Sequence, residues 1–211
     1  MKHRNSPDAG NARERILKAA GQVFALNSYQ AATTRMVAKA AHVEHPLIHY
    51  YFGSKEKLYE AVTADIYEAY GRAQETWLEG FEHLRPQEGL SIFLDRMIDY
   101  HLSDPSALQL VALNMVHIGR LEEIPGHRYI ILQMARMRRM LEKRVPLKGS
   151  SREIEMFIYC FHNLIISLLG AMSCQAQLLN MDPEGNEYRA WVKDASLTLF
   201  LPWLERLIAR R

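Results

Sequence analysis

Between Glu44 and Tyr51 the chain crowds His45, Pro46, Leu47, His49, Tyr50 and Tyr51 into two helical turns. Imidazole nitrogens and phenol hydroxyls can each donate or accept a hydrogen bond. So many large polar and aromatic groups cannot all be buried on so short a helix, and part of the stretch must face outward. Such a face suits a nucleic-acid groove: hydroxyls and imidazoles reach phosphate oxygens or base edges, and Leu47 can lie against a thymine methyl. Ile48 and Phe52, four apart, take the inward side together with one of the two tyrosines. Pro46 is tolerated only in a first helical turn, where its missing N–H has no intrahelical acceptor, which sets the helix start near Glu44.

Other chemistries lack their residues. None of the nine histidines stands in an H-E-x-x-H or comparable spacing, so the reading is not an enzyme and calls for no cofactor and no metal. Cys160 and Cys174 are 14 positions apart in one helical pattern, roughly 21 Å along its axis at the usual rise, too far to pair with each other. Two isolated cysteines make no zinc framework, and a reducing, cytoplasmic setting is expected.

The elements that position these groups follow from periodicity. The 211 residues are 48% hydrophobic and 24% charged, with a formal charge of +2. Residues 1–60 hold nine Lys and Arg against five Asp and Glu, so the basic excess sits at the front and points to an anionic partner there. A 3.6-residue period runs from position 12 to the end without sustained alternation, which predicts an all-α fold. Met1–Asn11 is polar, with Pro7 and Gly10, and reads as a disordered arm. A first helix over 12–27 carries Ile16, Ala19, Ala20, Val23, Phe24 and Leu26 inward. A second runs from an N-cap at Thr33 or Thr34 to Ala40, with Met36, Val37 and Ala40 inward, and the third from Glu44 to Tyr51. Three residues, Ala41, His42 and Val43, separate the two short helices, the geometry of a helix-turn-helix. Ser54 caps a long helix that reaches the 70s or low 80s.

Prolines then punctuate helices over 87–103, 105–119, 126–145, 151–179 and 185–209, the last with Pro202 inside it, where a kink or a restart is expected. The apolar run Ile154–Met172 is about long enough to span a bilayer. It contains His162, Asn163 and Ser167 and begins beside Glu153 and Glu155, and so reads as a buried helix with no membrane partner.

The run from Thr33-Thr34-Arg35 through Tyr50-Tyr51-Phe52-Gly53 to Ser54-Lys55-Glu56-Lys57-Leu58 resembles the DNA-binding domain of the tetracycline-repressor (TetR) family of bacterial transcription regulators, over roughly residues 12–62. The resemblance implies an all-α homodimer with an N-terminal three-helix helix-turn-helix domain, residues 12–60, and a C-terminal helical domain, residues 61–211, for effector binding and dimerisation. It implies a cytoplasmic, ligand-responsive repressor that binds a palindromic double-stranded DNA operator and is released by a small-molecule effector. It places Thr34 and Arg35 on the phosphate backbone, His45, Pro46, Leu47 and His49 on the groove-facing side, Tyr50 and Tyr51 as backbone clamps, and Lys55 as a phosphate-binding lysine at a helix N-terminus. The family usually has glycine where this chain has His42, so that residue is expected in a left-handed conformation. A helical protein–protein adaptor without DNA binding is the alternative, separated by salt-dependent binding to duplex DNA.

The C-terminal half carries weaker signals. The 151–179 helix, apolar nearly all round, and the helix after Pro183 are the expected dimer surface, through Phe157, Phe161, Leu164, Leu168, Trp191 and Leu199. Asn114, His117, Gln133 and His162 are candidate effector-binding groups. Each also fits a satisfied buried or surface position. The abundant methionines suit an adaptable apolar pocket or an ordinary core. Arg136, Arg138 and Arg139 fit either an anionic effector or a solvated face.

Overall fold

The computed structural model describes residues 7–81, 83–115, 123 and 125–208. They form ten α-helices: α1 Pro7–Leu26, α2 Thr34–Ala41, α3 His45–Phe52, α4 Lys55–Trp77, α5 Pro86–Ser103, α6 Ser106–Met115, α7 His127–Arg144, α8 Ser151–Ile165, α9 Met172–Leu178 and α10 Asn186–Leu207. Among the described residues there is no β-strand, only an isolated bridge between Leu147 and Ile208.

Helix α1 starts at Pro7 rather than at position 12, because proline at a first helical position forfeits no hydrogen bond. Of the expected arm, residues 1–6 lie outside the described residues. Ile16, Ala19, Ala20, Val23 and Phe24 are buried as the periodicity requires, but Leu26 is 74% exposed at the helix end. The phase of α2 differs from expectation. Val37, Ala38 and Ala41 are buried, while Met36 and Ala40 face solvent. Two consecutive alanines gave the pattern no contrast by which to orient so short a helix. Around these helices Ile48, Phe52, Leu58, Tyr59 and Val62 complete one continuous core with α1.

Helix α6 packs against both α1 and the segment that follows α8, and so joins the front of the molecule to the rest. That segment departs from the single 151–179 helix expected. Ile166–Gly170 winds as a π turn, Ala171 leaves helical geometry, and α9 resumes at Met172. Gly170 shows why the helix must adjust: a Cβ there would stand 2.8 Å from the Leu108 carbonyl oxygen of α6. The buried Tyr188 hydroxyl of α10 donates to the Leu168 carbonyl in the π turn at 2.5 Å, supplying a partner to the loosened backbone. Pro202 neither ends nor restarts α10, which continues to Leu207.

Ser151–Gly170 is long and apolar enough to cross a membrane by length and composition, and half of that window is buried inside the protein. Helix α8 begins with a reciprocal cap in which the Ser150 hydroxyl accepts from Glu153 N–H and the Glu153 carboxylate accepts from Ser150 N–H. It is two-sided rather than apolar all round: Ile154, Phe157, Ile158, Phe161 and Ile165 are buried, and Glu155, Met156, Tyr159, Cys160 and Asn163 are exposed.

At the crossing of α4 and α7, Gly71 leaves room for the guanidinium of Arg136, which reaches over to Glu75, and a Cβ at position 71 would overlap it.

Candidate functional site

The two short helices are positioned by caps at both ends. The Thr33 hydroxyl accepts from Met36 N–H at 3.2 Å and starts α2. His42 ends it at φ 52° and ψ 49°, in the left-handed region, with its N–H turned back to the carbonyls of Ala38 and Lys39. Glu44 is the N-cap of α3 but makes no side-chain cap bond, and Pro46 stands in the first turn. Ile48 and Phe52 bury one side of α3, anchoring it on the core.

On the other side, Pro46, His49 and Tyr50 are exposed, Tyr50 by 79%. His45, Leu47 and Tyr51 are half-buried, and Leu47 and Tyr51 rest against the core. Leu47 is therefore less available than an outward reading supposes, and Tyr51 is the tyrosine that sits beside Ile48 and Phe52. His45 Nε2 lies 2.9 Å from the Thr34 hydroxyl of α2, which ties the two helices together across the turn. The His45 and His49 rings meet edge to face at 5.2 Å, and the ring of Tyr50 meets that of Tyr51 likewise at 5.0 Å. His49 Nδ1 bonds the Gly53 carbonyl oxygen at 3.1 Å. Arg35 is exposed at the start of α2.

Lys55 opens α4 behind the N-cap of Ser54, whose hydroxyl accepts from Lys57 N–H at 3.2 Å. Its ammonium sits 4.5 Å from the centre of the Tyr29 ring and donates to the Gln30 carbonyl at 3.4 Å. Partial burial lowers its pKa. The Tyr29 hydroxyl is held above its usual range first by burial, then by the carboxylates of Glu56 and Glu60. Tyr29, and Arg13 over the Phe52 ring at 5.3 Å, are participants that sequence spacing did not bring forward. Each acts across a long sequence separation, and the one signal was a single aromatic residue in the connection between α1 and α2. Thr34, Arg35, His45, Pro46, His49, Tyr50 and Lys55 thus share one small lobe in which cations, imidazoles and a phenol meet solvent.

The C-terminal candidates are dispersed. Asn114 lies on α6 but its side chain is outside the described residues, as is His117 altogether. Gln133 is buried and hydrogen-bonded to Gln74 of α4. His162 is buried in the core, where loss of solvent brings its pKa down to about 4. His101 lies among the rings of Tyr70, Trp77 and Tyr100 with both ring nitrogens unpartnered. Burial first, and then the nearby His162, lowers it to about 3.

An apolar cavity of about 480 Å³ lies between α4, α5, α7, α8 and α10, lined by Trp77, Phe93, Met137, Met140 and Phe161 among others. A second, about 830 Å³, lies along α4 and α7 with Gln133, Arg136 and Arg139 in its wall. His162 lines neither. Gln74 stands in the first wall, and Leu78, Met140 and Arg144 are common to both. Arg136 is paired with Glu75, and Arg138 with Glu142 and Glu155, so of the candidate trio Arg136, Arg138 and Arg139 two are already matched.

Of the residues expected at a subunit interface, Phe157, Phe161 and Leu168 are buried in the protein's own core. Phe157 and Phe161 stack on each other and both meet Phe200 edge to face, Phe157 meets Trp203 likewise, and Leu168 lies in the π turn that packs on α6. Leu164 and Trp191 are half-buried, and Leu199 is 59% exposed.

Residues 16–62 match the family of bacterial regulatory proteins of the tetR family. Over 111 residues the chain is 29% identical to the HTH-type transcriptional repressor NicS of Pseudomonas putida, a match that takes in 53% of this chain and 51% of the relative. The chain thus spans about half the length of that curated relative. The fold is similar to that of the transcriptional regulator FadR of Bacillus subtilis, solved in complex with stearoyl-CoA, with 15% identity, a TM-score of 0.65, and 92% and 98% of the two chains covered. It is also similar to the fatty acid degradation regulator FadR of Bacillus halodurans, with 16% identity, a TM-score of 0.63, and 93% and 98% covered.

Proposed function

We propose that the chain, whose residues 16–62 match the tetR family of bacterial regulatory proteins, is a cytoplasmic transcriptional repressor of that family, a homodimer that binds a palindromic duplex operator and is released by a small-molecule effector. The observation that carries the reading is the outward side of α3, where His49 and Tyr50 are exposed and His45 is held by Thr34, with Lys55 at the start of the next helix. In this reading α3 enters the major groove, Arg35 and Lys55 meet phosphates on either side, and Pro46 and Leu47 shape the approach to the bases. The Gln30 carbonyl takes one of the three ammonium protons of Lys55 and holds the group in place, leaving the others for a phosphate oxygen.

One recognition helix reads too few base pairs for useful selectivity, and two must be presented about 34–36 Å apart, or a multiple of that. The surface that supports a dimer is the outer side of α8 and α10, where Met156, Tyr159, Cys160 and Leu199 are exposed beside half-buried Leu164 and Trp191. Sedimentation as a monomer at micromolar concentration would overturn this part. For the effector, the cavity of about 480 Å³ falls within the range of about 300–1,000 Å³ typical of small-molecule sites, and its apolar lining favours an apolar compound. Release then requires that the compound bind one subunit arrangement better than the other.

The test is a salt titration of binding to duplex fragments selected from genomic DNA. Affinity is expected to fall steeply as salt rises, and Lys55→Ala to weaken binding to all duplexes and lower the slope by about one unit per subunit. Binding that ignores salt would remove the DNA-binding reading, and an unchanged slope would remove Lys55 from the phosphate contacts.

A further inference from the structure

The hydrogen bond at the end of α3 decides which polar atom His49 can offer to a base. A carbonyl oxygen only accepts, so the bond of 3.1 Å between His49 Nδ1 and the Gly53 oxygen requires the proton of a neutral ring to be on Nδ1. Nε2, on the other edge of the ring, is then a bare acceptor. His49 is exposed, and its ring is steadied on a second side by the edge of His45, itself fixed by Thr34 of α2. The backbone acceptor is anchored in turn: Gly53 has φ 76°, a conformation that favours glycine, and its own N–H closes on the His49 carbonyl at 2.9 Å.

In the major groove, hydrogen-bond donors are the exocyclic amino groups of adenine and cytosine, whereas guanine and thymine present acceptors at the corresponding positions. We propose that His49 is a specificity-determining residue that reads an amino group, so that the strand it faces carries adenine or cytosine at one position of each half-site and excludes guanine and thymine there. This rests on the DNA-binding reading above and adds to it the polarity of one contact. Lone pair against lone pair is repulsive, so the wrong strand loses the hydrogen bond and leaves an acceptor facing an acceptor.

The test is selection from a randomised duplex library at pH 8, where an imidazole is ordinarily neutral, by the full-length wild-type chain and by His49→Arg. Arginine only donates, so its selected half-site is expected to change at one position from adenine or cytosine to guanine, the other positions keeping their preferences. Because His49 is exposed, the substitution removes one surface hydrogen bond and leaves the core of the lobe intact, which a melting curve checks. A second measurement uses wild-type protein alone. At a half-site selected with adenine at that position, replacing the adenine by purine, which lacks the amino group, should weaken binding roughly 3- to 10-fold, the worth of one hydrogen bond. A selected position unchanged in His49→Arg, or a purine duplex bound as tightly as the adenine duplex, overturns the proposal while leaving DNA binding in place. If no duplex is enriched by the wild-type chain, the DNA-binding reading falls and this inference with it.

Discussion

His42 stands at φ 52°, where a side chain costs of order 1 kcal/mol that glycine avoids. It is exposed, and the N–H that closes α2 belongs to its backbone, so the imidazole brings no visible compensation. His42→Gly is therefore expected to raise unfolding free energy by about 0.5–1 kcal/mol, measured by denaturant unfolding, and no gain would mean that the side chain makes a contact worth the strain. This position was legible in the sequence, because a three-residue connection between short helices needs one left-handed residue and the family resemblance names which. Lys55 was legible only in part. Its place at a helix start follows from Ser54, but its seat on the Tyr29 ring depends on how the connection after α1 folds back, and no local pattern encodes that.

At the scale of elements, the joint between α6 and the π turn is the least tolerant of added volume. Gly170→Ala would place a methyl 2.8 Å from the Leu108 carbonyl and 3.1 Å from the Ala112 Cβ. Backbone must shift to accept it, at a cost of about 1–3 kcal/mol by the usual penalty for overpacking. Thermal unfolding of the variant checks this, and a melting temperature equal to the wild type would show that the two segments can part freely. Prolines gave the helices after Pro86 their order, since Pro105, Pro125, Pro146 and Pro183 each fall between two helices and Pro86 opens one, while Pro202 alone is carried inside α10. Periodicity gave no sign of the break after Ile165, because a π turn adds one residue to a helix without altering composition. Nor could it tell which side of α8 faces inward. Phe157, Phe161 and Leu168 were apolar and suitably spaced for a partner subunit, and the protein's own α10 and α6 cover them instead.

For the molecule as a whole, the buried imidazoles set the response to acid. The folded state holds His101 at about 3 and His162 at about 4, against an ordinary 6.5. As pH falls below about 6.5 the unfolded chain takes up protons on these rings that the folded chain refuses, so stability is full above that pH and declines through the acid range. Unfolding free energy is expected to drop between pH 7.5 and 5, and to drop less in His101→Leu. That variant should also gain about 1–3 kcal/mol at pH 7.5 by removing two buried, unpartnered nitrogens. Equal declines in both proteins would assign the acid response to other groups. The same long-range packing couples positions that no reading of the chain would pair. Because the bare α-carbon at position 71 is the floor on which the guanidinium of residue 136 lies, the two are a matched set. Among natural variants of this chain, a side chain at 71 should arrive together with a shorter residue at 136, and Glu75 would then be released from its inherited role.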